Sequence, residues 1–226
     1  MIRNKPIALA YRIASLLFAI AGILSLLGVF DGQWHGTTLF FYTAQSNLLA
    51  VALFAMLIAK TIKGIRGRDV HAGYLPRFSM VVVIDILVTF FVYWILLAPT
   101  LEGYEQWTFF NLSVHAVTPL LCLVDYILFT QPRHLKYRDV YAVVIYPVFY
   151  VIFATIAGFA GQVYWTEADG LPLRFPYFFF DYDRIGVAMS LVYIGALIFI
   201  FLLMSHGFYL VDAKIRKRRW RMEGTS

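Results

Sequence analysis

The sequence has little charge and almost no cysteine. Only 14% of its 226 residues are Asp, Glu, Lys or Arg, whereas soluble globular domains carry about 25%. The single cysteine, Cys122, excludes an internal disulfide and a Cys-ligated zinc site, and its apolar neighbours indicate a packing residue. Because 61% of the residues are hydrophobic, lipid rather than water is the expected solvent for most side chains.

The net charge of +6 has the sign that nucleic-acid binding requires, but its distribution argues against that function. Basic residues flank the hydrophobic segments, where they set topology and contact phospholipid headgroups. The densest cluster is the C-terminal tail, with Lys214, Arg216, Lys217, Arg218, Arg219 and Arg221. We interpret this tail as a membrane-surface anchor, with no nucleic-acid partner.

Six apolar segments are long enough to cross a hydrocarbon core of about 30 Å at about 1.5 Å per residue. Their predicted bounds are 7–30, 39–60, 78–98, 108–129, 140–160 and 185–210. The sequence therefore predicts an all-α polytopic membrane protein, a six-transmembrane-helix bundle. It forms one domain over residues 1–226, and its basic tail covers residues 211–226.

The basic residues also predict the orientation. When the N-terminus is placed inside, all but two of the 19 Lys and Arg residues fall on that side, the exceptions being Arg174 and Arg184. The other loops carry acidic residues, namely Asp31, Glu102, Glu105, Glu167, Asp169, Asp181 and Asp183. Because Lys and Arg remain on the cytoplasmic side, we expect both termini in the cytoplasm and a location in the cell membrane.

Polar residues open the second predicted span. Thr43, Ser46 and Asn47 lie at positions i, i+3 and i+4 and so share one helix face. Gln45 points elsewhere on the helix. Polar groups at membrane depth are costly and usually face the bundle interior or a cavity.

The fourth span has a similar polar face. Asn111, His115 and Thr118 lie at i, i+4 and i+7. Pro119 has no N–H to donate to the His115 carbonyl, so we expect a kink there.

Thr43 and His115 are predicted at similar depths, roughly 6 Å and 10 Å below the outer surface. If their helices are neighbours, the hydroxyl and the imidazole form the minimal pair for nucleophilic acyl transfer. Gln45, Ser46 or Asn47 would then bind the oxyanion, and Asn111 would orient the imidazole. Two other interpretations stay open on spacing alone: hydrogen bonds between helices, and an ion or proton pathway.

Four aspartates are candidates for supporting roles. Asp85 and Asp125 lie in the third and fourth spans, too far along the axis to orient His115 directly. They would form a proton relay in the pathway interpretation; otherwise Asp125 pairs with Arg133 or a tail residue, and Asp85 pairs with Lys60 or forms a hydrogen bond. Asp181 or Asp183 of the last outer loop is better placed to complete the site.

The long outer connection, 161–183, is rich in aromatic residues. It fits an interfacial belt, or a lid over an outward-facing cavity. No histidine pair has the spacing of a metal site, so we predict no metal.

Several segments resemble a group of small prokaryotic six-pass membrane proteins over residues 38–205. These are Tyr42-Thr43-Ala44-Gln45-Ser46-Asn47-Leu48-Leu49, Asn111-x-x-x-His115 with Pro119 and Asp125-Tyr126, Tyr146-Pro147-x-x-Tyr150, and Phe179-Phe180-Asp181. That group is similar, more distantly, to the eukaryotic androgen-induced-protein family. Its members include the androgen-dependent regulator of tissue factor pathway inhibitor.

The resemblance implies a six-helix intramembrane hydrolase that cleaves fatty acid esters of hydroxy fatty acids, with Thr43 as nucleophile and His115 as base. The segment Gln45–Asn47 departs from the eukaryotic pattern, so the acyl lipid that serves as substrate stays open. We expect an intramembrane threonine hydrolase of lipid esters that needs no cofactor and meets its substrate among membrane lipids. The alternatives are a proton-coupled transporter or channel, and a non-catalytic protein that binds a lipid or a partner.

Overall fold

The computed structural model describes residues 4–67, 75–101, 105–129, 135–166 and 170–223. Within them, six helices are long and apolar enough to cross a membrane, which confirms the predicted multi-pass helical bundle. They are α1 (Lys5–Leu26), α2 (Tyr42–Ile65), α3 (Pro76–Thr100), α4 (Phe109–Phe129), α5 (Tyr137–Phe159) and α6 (Tyr182–Glu223). Some residues of the charge count lie outside the described residues: Arg3, Arg68, Glu102, Arg133, Glu167 and Asp169.

Local chemistry sets the helix ends. The Asn4 side chain accepts a hydrogen bond from the Ile7 amide at 3.2 Å and caps α1. α1 ends earlier than predicted because Gly28 adopts φ +74°, which starts a turn that few other residues can form. α6 is longer than the predicted span and continues to Glu223, with non-helical backbone at Gly186.

Three further helices are irregular. α3 ends in a π turn, Tyr93–Leu97, and a short 3₁₀ turn. α4 contains a second π turn, Ser113–Val117. α5 begins as a 3₁₀ helix, Tyr137–Val144. Such π turns are rare in proteins overall, and those that occur are often found at functional sites.

α3 is the central helix of the bundle. Its side chains are buried from Met80 to Thr89 with the exception of Val81. One side packs on α2 and α4 through Phe54 and Cys122, which confirms the packing role predicted for the cysteine. Large apolar side chains point outward instead from the other helices, where lipid would cover them: Leu17, Ile127, Phe149, Phe199 and Leu203.

The two ends of the bundle differ. One end, here called the terminal end, carries the start of α1 and the end of α6. The opposite, aromatic end carries the described parts of the α5–α6 connection, which contain a two-residue antiparallel pairing of β1 (Trp165–Thr166) and β2 (Pro172–Leu173). This short pairing is an addition to the predicted all-α fold. Phe175, Phe179 and Phe180 are buried, so the segment packs onto the bundle.

Candidate active site

Thr43 and His115 lie side by side at the aromatic end. Thr43 Oγ1 is 3.2 Å from His115 Nε2, and both side chains are buried. Thr43 belongs to the first turn of α2, and His115 to the middle of the π turn in α4. The predicted approach of these two side chains, based on their similar depths, is therefore confirmed.

The hydrogen bond on the other ring nitrogen identifies the His115 tautomer. His115 Nδ1 is 3.2 Å from the main-chain carbonyl oxygen of Asn111. A carbonyl only accepts hydrogen bonds, so Nδ1 carries the proton and Nε2 presents its lone pair to the Thr43 hydroxyl. This arrangement is the one a general base requires.

The structure has a π turn next to Pro119, where a kink was predicted, and the carbonyls of Val114 and His115 have side-chain partners. Proline provides no N–H for the helical hydrogen bond that would end at Val114 or His115. Asn47 Nδ2 donates to the Val114 carbonyl at 3.1 Å, and Trp94 Nε1 donates to the His115 carbonyl at 3.1 Å. Side chains of α2 and α3 therefore satisfy the carbonyls that the irregular turn leaves free.

The Tyr93 ring packs flat on the His115 imidazole. Their centroids are 3.6 Å apart and their planes differ by 10°. Tyr93 is the first residue of the π turn in α3, so the two π turns of the bundle meet at this stacked pair. The stacking and the Nδ1 hydrogen bond together hold the imidazole in one orientation.

Tyr177 lies next to Thr43 in the linings of two cavities described below. It belongs to the described part of the α5–α6 connection, residues 161–166 and 170–181, which is called the aromatic segment here. Burial raises the pKa of the Tyr177 hydroxyl, and the nearby polar groups of Thr43, Tyr42 and Tyr150 act in the opposite direction. The net shift is upward, so the phenol stays protonated and remains a donor. The aromatic segment thus contributes a side chain to the site, which an interfacial aromatic belt would not do.

Two cavities meet at Thr43. The smaller, of about 80 Å³, lies between α3, α5 and α6 and is lined by aliphatic and aromatic side chains such as Val88, Ile198 and Phe201. The larger, of about 550 Å³, lies under the aromatic segment and includes His115 together with the charged residues Glu105, Asp181 and Arg184. The residues common to both linings are Thr43, Tyr93, Leu97 and Tyr177.

The residues proposed as oxyanion donors are engaged elsewhere. Gln45 Nε2 donates to the Leu39 carbonyl at 3.0 Å. The Ser46 hydroxyl lies 3.1 Å from the Thr43 carbonyl and 2.9 Å from the Thr89 hydroxyl. Asn47 Nδ2 donates to the Thr43 carbonyl at 2.8 Å. These side chains brace the first turn of α2 against its neighbours, and none of the three residues lines either cavity, so they are not placed to contact a substrate there.

The predicted supporting residues are also placed differently. Asn111 contacts His115 through its main chain, because its side chain donates to the Glu105 carbonyl at 2.8 Å. Asp181 accepts from the amides of Asp183 and Arg184 and so caps α6. Asp183 pairs with Arg174 at 2.6 Å. The group that orients the imidazole is therefore the main-chain carbonyl of Asn111, and neither the Asn111 side chain nor an aspartate has this role.

Asp85 and Asp125 belong to two separate clusters. Asp85 accepts a hydrogen bond from the Tyr42 hydroxyl at 3.2 Å. Of the two predicted alternatives, a pair with Lys60 or a hydrogen bond, the structure shows the hydrogen bond. Asp125 pairs with Arg12, at 2.7 Å from Nε. Arg12 on α1 was not predicted as this partner. The predicted ones, Arg133 and the tail residues after Lys214, lie outside the residues and side chains that the structure describes. Neither aspartate touches the Thr43–His115 pair through these bonds.

No group of three metal-ligating side chains occurs in the described part of the chain. The predicted absence of a cofactor stays a prediction.

Sequence reasoning missed Tyr93, Trp94 and Tyr177 as site residues. Only Tyr177 had a signal, its place in the aromatic stretch; the stacking of Tyr93 depends on how α3 and α4 pack.

Comparisons with family models, with curated proteins and with solved structures give no match. The assignment of a function therefore depends on the residues of this chain and their geometry.

Proposed function

We propose that the protein is an intramembrane hydrolase of lipid esters, with Thr43 as nucleophile and His115 as general base and acid. The observation that carries the proposal is the 3.2 Å contact between the Thr43 hydroxyl and His115 Nε2, with Thr43 in the shared lining of an apolar cavity and one with charged walls. A hydroxyl that serves only to join helices has no need of a cavity on either side.

The chemistry follows from these two groups. Thr43 Oγ1 attacks the ester carbonyl carbon while its proton passes to His115 Nε2. The intermediate collapses, the bond to the alcohol oxygen breaks, and His115 returns the proton to the departing alcohol. Water then attacks the acyl carbon while His115 Nε2 takes its proton. The bond from carbon to Thr43 Oγ1 breaks, His115 returns the proton to Oγ1, and the fatty acid leaves. The Asn111 carbonyl and the Tyr93 ring stabilise the imidazole orientation throughout.

The cavities support an acyl lipid as substrate. The start of the acyl chain, next to the ester carbonyl, would lie in the smaller cavity, because its walls are hydrophobic around Val88, Ile198 and Phe201. The alcohol portion would lie in the larger cavity, where Arg184 and Glu105 offer polar contacts. Fatty acid esters of hydroxy fatty acids, the class implied by the family resemblance, have this division into an apolar chain and a second substituted chain.

The charge pattern supports a plasma-membrane orientation with both termini in the cytoplasm, so that the site faces the outer leaflet. Single-cysteine variants on a Cys122→Ala background test it, because Asp31 and Lys63 lie at opposite ends of the bundle. Asp31→Cys should react with an impermeant maleimide in intact cells, and Lys63→Cys should not. The reverse pattern would contradict this topology.

Hydrolysis by the purified full-length protein tests the enzymatic proposal. Long-chain nitrophenyl esters and branched lipid esters are suitable substrates. We expect Thr43→Ala and His115→Ala each to lower kcat by at least about 100-fold, since general base catalysis contributes about 10²–10⁴-fold. Full activity in both variants would overturn the proposal.

Matched controls exist in the same chain. Thr155 bonds the Val151 carbonyl four residues back, and His206 Nδ1 bonds the Leu202 carbonyl with the spacing that His115 uses. Both lie outside the two cavity linings. Thr155→Ala and His206→Ala should keep wild-type kcat, so a loss shared by all four variants would indicate damage to the fold.

A further inference from the structure

The site has a nucleophile and a base, but the residues expected to bind the oxyanion lie outside both cavity linings. Gln45, Ser46 and Asn47 hydrogen-bond to groups of the protein itself. An ester carbonyl that Thr43 attacks becomes an oxyanion in a cavity with mostly apolar walls, where an unassisted charge is unfavourable. Other donors must therefore face the junction of the two cavities.

Tyr93 has the required hydroxyl. Its side chain is 4% exposed, and its oxygen has no hydrogen-bond partner among the described residues. Buried hydroxyls are rarely left unpaired, because the lost hydrogen bonds to water are not replaced. The residue lines both cavities, so a substrate atom placed at the junction is a suitable partner.

Tyr177 reaches the same junction from the other side. It also lines both cavities, and it belongs to the α5–α6 connection that covers the larger one. When Thr43 bonds to the substrate carbon, the carbonyl oxygen lies next to Thr43 Oγ1. The Tyr177 hydroxyl can then donate a hydrogen bond to this oxygen.

We propose that the hydroxyls of Tyr93 and Tyr177 form the oxyanion hole of this site and hold the substrate carbonyl oxygen as Thr43 attacks. The inference rests on the proposed hydrolase function. As the bond from Oγ1 to carbon forms, the carbonyl π electrons move onto the oxygen, which accepts both phenolic hydrogen bonds. Collapse of the intermediate returns these electrons to the carbonyl and expels the alcohol.

Phenylalanine variants test this assignment, since they remove only the hydroxyl. We expect Tyr93→Phe to lower kcat by about 100- to 1000-fold, the usual effect of removing one oxyanion donor, with KM nearly unchanged. Tyr177→Phe should cause a smaller loss. The inhibition constant of a long-chain trifluoromethyl ketone, whose adduct with Thr43 carries an oxyanion, should rise with the loss in kcat. Binding of a long-chain ether, which has no carbonyl, should stay unchanged.

Tyr164→Phe is the matched control. The Tyr164 hydroxyl is also buried and has no partner among the described residues, but Tyr164 lies outside both cavity linings. This variant should keep wild-type kcat. Unchanged ether binding shows in each variant that the site is folded.

The outcomes separate the inference from the proposed function. If Thr43→Ala is inactive while both Tyr93→Phe and Tyr177→Phe keep kcat within about twofold of wild type, the oxyanion hole is wrong and the hydrolase stands. A loss confined to one tyrosine overturns the role of the other. If wild-type protein shows no hydrolysis that depends on Thr43, both proposals fall together.

Discussion

The two ends of the bundle bury polar side chains in different ways. At the terminal end, Arg12 bonds both carboxylate oxygens of Asp125 at 2.7 and 3.1 Å and the Thr61 hydroxyl at 2.6 Å. At the aromatic end, the Thr43–His115 pair opens onto two cavities, and the Tyr93 hydroxyl lacks a partner among the described residues. The terminal cluster is saturated in the sense that each side-chain nitrogen and oxygen of Arg12, Thr61 and Asp125 has a partner, whereas the aromatic cluster has a hydroxyl without one.

This difference separates a structural polar cluster from a candidate active site. A saturated cluster offers nothing to a ligand, and its loss is expected to affect stability. An unsaturated cluster beside a cavity costs stability, since buried polar groups without partners are unfavourable. Such a cost is common where function requires it. Substitutions at the two ends should therefore separate stability from activity.

The largest effect on stability is expected for Arg12→Met, which breaks the terminal cluster. It leaves Asp125 buried without its cation, and the loss of one partner of a buried ion pair costs about 3–5 kcal/mol. Thermal unfolding in detergent should show the loss as a lower Tm. The activity of the molecules that remain folded should match wild type, because the cluster lies at the other end of the bundle from Thr43.

A double variant serves as the control. Arg12→Met with Asp125→Leu removes both charges, and an apolar pair of similar volume often restores the stability of a buried ion pair. We expect the double variant to recover most of the loss. If instead Arg12→Met lowered kcat while leaving Tm unchanged, the contrast between the two ends would be wrong.

A smaller effect is expected where the aromatic segment packs on α5. A Cβ at Gly158 would lie 2.7 Å from the Arg174 carbonyl oxygen and would also overlap the Phe175 ring. Gly158→Ala should therefore displace the segment, at about 1–3 kcal/mol, the usual effect of overpacking. Because Phe175 lines the larger cavity, hydrolysis should fall as well, in contrast to Arg12→Met.

Gly195→Ala is the control for this displacement. It lies in α6, and a Cβ there meets no atom within 4 Å. Alanine favours helix over glycine, so Tm should rise slightly or stay the same. Equal Tm values for Gly158→Ala and Gly195→Ala would show that the segment adjusts freely.

The parts of the fold that were predictable from sequence depend on composition and on helix rise. The spans follow from hydrophobic length, and the approach of Thr43 to His115 follows from equal depth on two helices. The Tyr93 stacking and the Arg12–Asp125 pair join residues far apart in the chain, and no local pattern identifies such partners. Arg12 was assigned to topology because most basic residues near span ends have that role.

The roles of the polar side chains were less predictable than their positions. Asn111 was expected to orient His115, and it does contact the ring, but through its carbonyl. Spacing places a residue on a helix face without showing whether its main chain or its side chain makes the bond. The two π turns were equally hard to predict, since Pro119 is the only sequence signal for either of them.

The smallest effect is expected for Trp94→Phe, which removes the donor to the His115 carbonyl. One hydrogen bond is worth about 1 kcal/mol, so kcat should fall by about fivefold if the bond positions the imidazole. Pro119→Ala supplies an N–H at the position where proline has none. In the double variant this N–H can bond the freed carbonyl, and we expect kcat to recover. If Pro119→Ala fails to restore kcat in the double variant, Trp94 acts by packing alone, and the irregular turn at His115 does not depend on it.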